Sequence, residues 1–111
     1  FIYYCRSDRR SIGPDAHVFR YNYKLNTIEY LVDHCGEEGM VFYRGKDIFY
    51  MERLMNGGFQ PILFDIKKKS ITTFDKVTQQ LIEKSTPVFF DPSKDAFCGI
   101  KDGRVIVIKQ F

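Results

Sequence analysis

The sequence predicts an α+β domain, a mixed or antiparallel β-sheet of five to seven strands with one or two helices packed on it. Three observations carry that expectation. The chain holds 11 Phe and 7 Tyr with no Trp, and these rings favour the pleated, half-buried surface of a sheet. Short apolar runs are punctuated by turn residues, as in hairpins. Two stretches break that rhythm and set apolar residues at helical spacing. At 111 residues the chain is long enough for one core and too short for two, so 1–111 reads as a single α+β domain. It opens on Phe1, which reads as excised from a longer chain.

FIYYC (1–5) is the first strand candidate, ended by the charged, turn-rich RSDRRSIGPD (6–15). HVFRYNY (17–23) alternates as a second strand. From residue 25 the period changes. Leu25, Ile28, Leu31, Val32 and Cys35 fall on one face of a 3.6-residue repeat. Asn26 followed by Glu29 has capping-box spacing, and Gly36 and Gly39 supply a stop, so 26–36 reads as a helix. Its rival is an aromatic strand, NTIEYLV, closing a hairpin with 17–23. MVFYR (40–44), a short RGK turn and DIFYMERLM (47–55) form a hairpin. Asn56-Gly57-Gly58 then turns the chain into PILFDIK (61–67). Phe74, Val77, Leu81 and Ile82 predict an amphipathic helix over 73–85, capped by Thr72 or Thr73 with Asp75 in its first turn. PVFFD (87–91), DAFCGI (95–100) and RVIVIK (104–109) are strands, the last two joined at Lys101-Asp102-Gly103.

Composition narrows the function only slightly. Charged residues make up 28% and hydrophobic ones 44% of the chain, which excludes a disordered segment. A net charge of +3 does not by itself imply nucleic-acid binding. No apolar run approaches the roughly 18 residues of a membrane span. Cys5, Cys35 and Cys98 are odd in number and scattered, which favours reduced thiols in an intracellular protein; one bridge in a secreted protein is the alternative. His34-Cys35 lacks the paired ligand spacing of a zinc site. A Cys98–His34 nucleophile pair has no motif behind it. GEEG and NGG lack the ending of a phosphate loop. VFY (41–43) before KDIF echoes VFF (88–90) before KDAF, at a spacing that suits propeller blades. The glycine pairs and tryptophan of kelch repeats are missing, so the echo reads as coincidence.

One thread leads to chemistry. Phosphodiester hydrolysis needs a cation to neutralise phosphate charge and activate water, and magnesium takes few carboxylates while keeping several waters. Asp47, Asp65 and Lys67 supply two acids and a cation near a hairpin, followed by a helical stretch carrying Gln79 and Gln80. The order helix, three strands, helix, strand over about 25–91 resembles the PD-(D/E)xK nuclease core. The resemblance implies Mg²⁺ held by Asp47 and Asp65, a catalytic Lys67, and a further acid from the first helix, where Glu29 is placed. Lys46 stands where the motif has proline, and Asp65 takes the position more often held by glutamate. The basic residues Arg6, Arg9, Arg10, Lys68 and Lys69 offer contacts to a nucleic-acid backbone; a solvated basic loop is the favoured alternative.

The register of the second hairpin decides whether the acids meet. With a three-residue loop at Asn56–Gly58, Asp47 sits opposite Lys67 and all three site residues share a face. With a two-residue turn, Asp47 points to the other face. In the bland alternative, Asp65 is a solvated strand end and Lys67–Lys69 an edge that resists aggregation.

A second resemblance competes. PILFDIKKKSITTFD followed by FFDPSKDAFCGIKDGRVIVI is similar to the FAINT domains of apicomplexan secreted proteins, over about 48–108, with Val107 nearest the place of the pattern's tryptophan. That resemblance implies a secreted, non-enzymatic, β-rich module with host proteins as partners, a structural Asp65, and a strand in place of the helix at 73–85.

Overall fold

The computed structural model describes residues 1–7, 16–55 and 58–111. Among them are ten strands: β1 (Ile2–Ser7), β2 (Ala16–Asn22), β3 (Thr27–Val32), β4 (Cys35–Tyr43), β5 (Ile48–Met55), β6 (Gly58–Asp65), β7 (Ser70–Thr73), β8 (Val88–Asp91), β9 (Ala96–Lys101) and β10 (Arg104–Gln110). They form three antiparallel sheets, β1-β2-β3, β4-β5-β6-β7 and β10-β9-β8. One α-helix, α1 (Lys76–Glu83), lies between β7 and β8. This is a small β-rich domain, and the expected balance of one sheet with one or two helices does not hold.

The central four-stranded sheet is buried on both faces. Its strands alternate between two cores, as the two-residue period of a strand requires. Phe49, Met51, Ile62 and Phe64 point to one side, where they meet Ala16, Val18, Leu31 and Val32 of the first sheet. Tyr50 and Leu63 point to the other, against Ile82 of α1 and Phe97 of β9, with Val88, Phe90 and Phe111 packed around them. Double burial explains why β5 and β6 read as continuous apolar runs rather than alternating ones.

The helix expected over 26–36 is a strand instead. Asn26 adopts a left-handed backbone, φ 52°, and closes a turn in which the Asn22 side chain accepts the Lys24 and Leu25 N–H groups at 3.1 and 3.2 Å. β3 then pairs with β2 from Asn22↔Thr27 to Val18↔Val32. The pairing shifts between Val18 and Phe19, so Leu31 is an extra residue against β2. Such a bulge lets two consecutive residues face inward, and both Leu31 and Val32 are buried. That adjacency imitates one turn of a helix. Leu25 and Ile28, which complete the apparent stripe, are 70% and 60% exposed.

Gly36 stops no helix either. It packs against the neighbouring strand so closely that a Cβ would lie 2.1 Å from the Glu52 carbonyl oxygen. The second helix forms, capped by Asp75 rather than by Thr72 or Thr73. The Asp75 carboxylate accepts the Thr78 N–H at 2.7 Å, which holds its pKa below the ordinary value. Thr72 and Thr73 belong to β7, an edge strand that the sequence reading passed over.

The cysteines also differ from expectation. Cys5 in β1 and Cys35 in β4 are joined in a disulfide that ties the first sheet to the central one. Cys98 is buried and free, and burial pushes its thiol up, away from the reactive thiolate. No helix among the described residues is long and apolar enough to cross a membrane.

Candidate functional site

β5 and β6 pair from Met55↔Gly58 to Ile48↔Asp65. This is the register of a two-residue connection; Asn56 and Gly57 themselves lie outside the described residues. The Ile66 N–H donates to the Asp47 carbonyl at 2.8 Å, so Asp47 stands opposite Ile66 and not opposite Lys67. Ile66 belongs to the core shared with the first sheet, whereas Ile48, the partner of Asp65, packs against the core on the far side. The two acids therefore occupy positions of opposite parity.

Each acid has a local reason to be where it is. Four hairpin connections share one construction: Asn22↔Thr27, Tyr43↔Ile48, Asp65↔Ser70 and Asp91↔Ala96 are the last paired residues, with four residues between each pair. The fourth loop residue is left-handed every time: Asn26 at φ 52°, Asp47 at 52°, Lys69 at 54° and Asp95 at 49°. Asn and Asp are the non-glycine residues that tolerate this region best. In three of the four, the residue that opens the loop carries a side-chain oxygen that accepts loop N–H groups. Asn22 does so as described, Asp65 accepts from Lys68 at 3.0 Å, and Asp91 from Ser93 at 3.0 Å. Asp65 is thus a turn opener and Asp47 a turn closer. The echo between 41–49 and 88–97 is this shared turn.

The remaining members of the set are spread apart. Lys67 reaches Asp47 at 3.3 Å, with side chains 77% and 44% exposed, a surface pair that contributes little. Glu29 lies on β3 and spends its carboxylate on Arg20, its cross-strand partner, and on Lys69 at 2.7 Å. The Lys69 hydrogen bond is the main cause that draws Glu29 below the ordinary glutamate range, Arg20 adding to it against a smaller desolvation penalty. Gln79 folds back on the Phe74 carbonyl at 3.1 Å. The structure therefore brings Asp47 to Lys67 and Glu29 to Lys69, but does not gather Asp47, Asp65 and Glu29. Among the described residues no three His, Cys, Asp or Glu side chains converge as ligands of one ion. The donor set expected for Mg²⁺ is divided between ion pairs and a turn, and no chemical step is drawn through it.

The basic residues do not form one track. Arg6 is exposed near the end of β1 remote from Phe1. Lys68 and Lys69 sit in the β6–β7 turn, close to the cleft that Phe1 lines. Arg9 and Arg10 lie outside the described residues. His34 stands in the β3–β4 connection, 3.5 Å from Asp33, whereas Cys98 is in the third sheet.

Two surfaces escaped the sequence reading. The first is the outer face of the β1-β2-β3 sheet. Ala16 and Val18 turn into the core, so His17, Phe19 and Tyr21 turn outward, where rings join across all three strands. Tyr4 stacks on Phe19 with centroids 5.8 Å apart. Phe19 and His17 each meet the Tyr30 ring edge-on, at 5.7 and 5.6 Å. Ile2, Ile28 and Tyr30, on the same face, are each more than half exposed. The second is a cleft beside the β4–β5 turn, lined by Phe1, Tyr3, Phe42, Ile48 and Ile66 together with Tyr43, Arg44 and Asp47. A signal for the first existed: β2 sets His17, Phe19 and Tyr21 on one parity and Ala16 and Val18 on the other, so neither face is wholly polar. Comparison with protein-family models, with curated proteins and with solved structures finds no match.

Proposed function

We propose that this chain is a non-catalytic protein-binding module whose contact surface is the outer face of the first sheet. The observation that carries the reading is the ring array of Tyr4, Phe19 and Tyr30, bordered by exposed Ile2 and Ile28. An antiparallel sheet with one face on a core ordinarily presents polar side chains to water on the other. A contiguous apolar face marks an interaction surface. Tyr, Phe and Arg are the residue types enriched where proteins meet, and Arg6 stands across from His17 on this same face.

The Cys5–Cys35 disulfide suits an oxidising compartment. This agrees with the secreted, host-facing role that the FAINT resemblance implies, although α1 occupies the segment where that resemblance allows a strand. The nuclease reading, by contrast, needs Asp47 and Asp65 on one face, and lacks that support.

A photo-crosslinking residue in place of Ile28 is expected to capture a defined protein partner that the same residue in place of Val77, on α1, does not. Tyr30→Asp should abolish the crosslink, while Lys67→Ala leaves it intact. Magnesium- or manganese-dependent cleavage of DNA or RNA, lost in a folded Lys67→Ala variant, would overturn the proposal in favour of the nuclease.

A further inference from the structure

The cleft beside the β4–β5 turn combines an apolar interior with a cationic surround. Its walls include Tyr3 and Phe42, whose ring centroids are 4.8 Å apart, together with residues Ile48 and Ile66. Its volume is about 280 Å³, just below the roughly 300–1,000 Å³ of small-molecule pockets. That space suits one side chain better than a cofactor. The surrounding charges are unevenly satisfied. Lys46 pairs with Asp95 at 3.3 Å and Lys67 with Asp47 at 3.3 Å. Arg44, which lines the cleft, and Lys68, in the adjoining turn, are exposed and have no ion-pair partner among the described residues. An arginine so placed offers a planar, bidentate site for a carboxylate.

We propose that this cleft receives one aromatic or branched aliphatic side chain from an acidic segment of a partner protein, with Arg44 and Lys68 pairing with the carboxylates that flank it. The inference rests on the reading of the chain as a protein-binding module but uses a different surface, so the two stand or fall separately. Charge complementarity selects an acidic peptide over a basic one. The apolar lining and the Asp47 carboxylate select a peptide over nucleic acid, since a phosphate seated in the cleft would meet that anion.

The test uses the full chain and a dye-labelled acidic peptide with one central phenylalanine, followed by fluorescence anisotropy. Burial of the ring predicts binding about tenfold or more tighter than for the counterpart with central alanine. Arg44→Ala should weaken binding about tenfold, and the exposed position keeps the variant folded. Added salt should weaken it further. Tyr30→Asp, on the outer face, should leave it unchanged. Equal binding of the phenylalanine and alanine peptides, indifference to Arg44→Ala, effective competition by single-stranded DNA, or no binding at all would each overturn the assignment. The crosslink at position 28 reports on the outer face independently of all four outcomes.

Discussion

The two faces of the central sheet are covered in different ways. On the first, three strands lie across a mixed core in which the rings of Phe42, Phe49 and Phe64 sit among aliphatic and sulfur-containing side chains, fastened by the Cys5–Cys35 bond and by the Lys69–Glu29 pair. On the second, α1 and three strands are held by a continuous stack of rings and no covalent link. Tyr50 and Phe97 lie 4.9 Å apart, Phe97 and Phe90 5.2 Å, and Tyr43 and Phe90 5.0 Å. A hydrogen bond from the Tyr43 hydroxyl to Asp95 at 2.8 Å joins this stack to the β8–β9 turn, and it raises the tyrosine's pKa. The difference tracks what each layer does with its far side. The first sheet leaves its outer face apolar and open, so much of its side-chain area is not available to anchor it; a cross-link supplies what packing does not. The second layer spends its large rings inward.

The largest expected effect breaks the ring stack. Phe97 is fully buried and touches Tyr50, Phe74 and Phe90. Phe97→Ala should cost about 3–5 kcal/mol in urea-induced unfolding. A loss below about 1 kcal/mol would mean that the second face does not depend on its rings.

Removing the cross-link is the next largest. The disulfide closes a separation of 30 residues, for which chain entropy alone gives about 3–4 kcal/mol. In a variant carrying Cys5→Ser and Cys35→Ser, amide hydrogen exchange should quicken first in β1–β3, while β8–β10 keep their protection. Uniform loss of protection across both layers would show that the covalent tie does not belong to one face.

How much of this was legible in the sequence depended on the kind of signal each element sends. The β5 and β6 runs were plain, because double burial writes an unbroken apolar segment. α1 was plain because its stripe is periodic and Asp75 precedes it. β3 was disguised, because the Leu31 bulge places two neighbours inward and so borrows the helical pattern. The candidate site was disguised in a related way. Asp47 and Asp65 drew attention as paired acids, but Asp95 and Asp91 repeat their positions in another hairpin, and Asn26 and Asn22 repeat them in a third. A left-handed turn closer and a side-chain turn opener select Asn and Asp for backbone reasons. A motif search cannot distinguish that selection from metal binding without the register. The Cys5–Cys35 pairing was invisible for a different reason, since it depends on how two sheets stack and not on spacing along the chain.

The smallest effect sharpens the contrast electrostatically. Lys69 and Arg20 stabilise the ionised form of Glu29, so its folded-state pKa lies below that of the unfolded chain. A depressed carboxylate contributes stability that is fully present above its unfolded value, about 4.3, and is lost as pH falls through the folded one. With the Glu29 side chain 42% exposed, solvent screening reduces the contribution to well under about 1 kcal/mol. Glu29→Gln should therefore flatten the acid limb of the stability curve below about pH 4.3. Salt should erase much of the difference between the variant and the parent. The local consequence is more telling than the global one. Glu29 is the point where the β6–β7 turn is clasped to the first sheet, so in acid the amides of β3 should exchange faster relative to those of β9. If β3 and β9 respond alike, the pair is surface decoration, and the open-faced layer is fastened by the disulfide and by the Arg53–Asp33 pair at 2.6 Å.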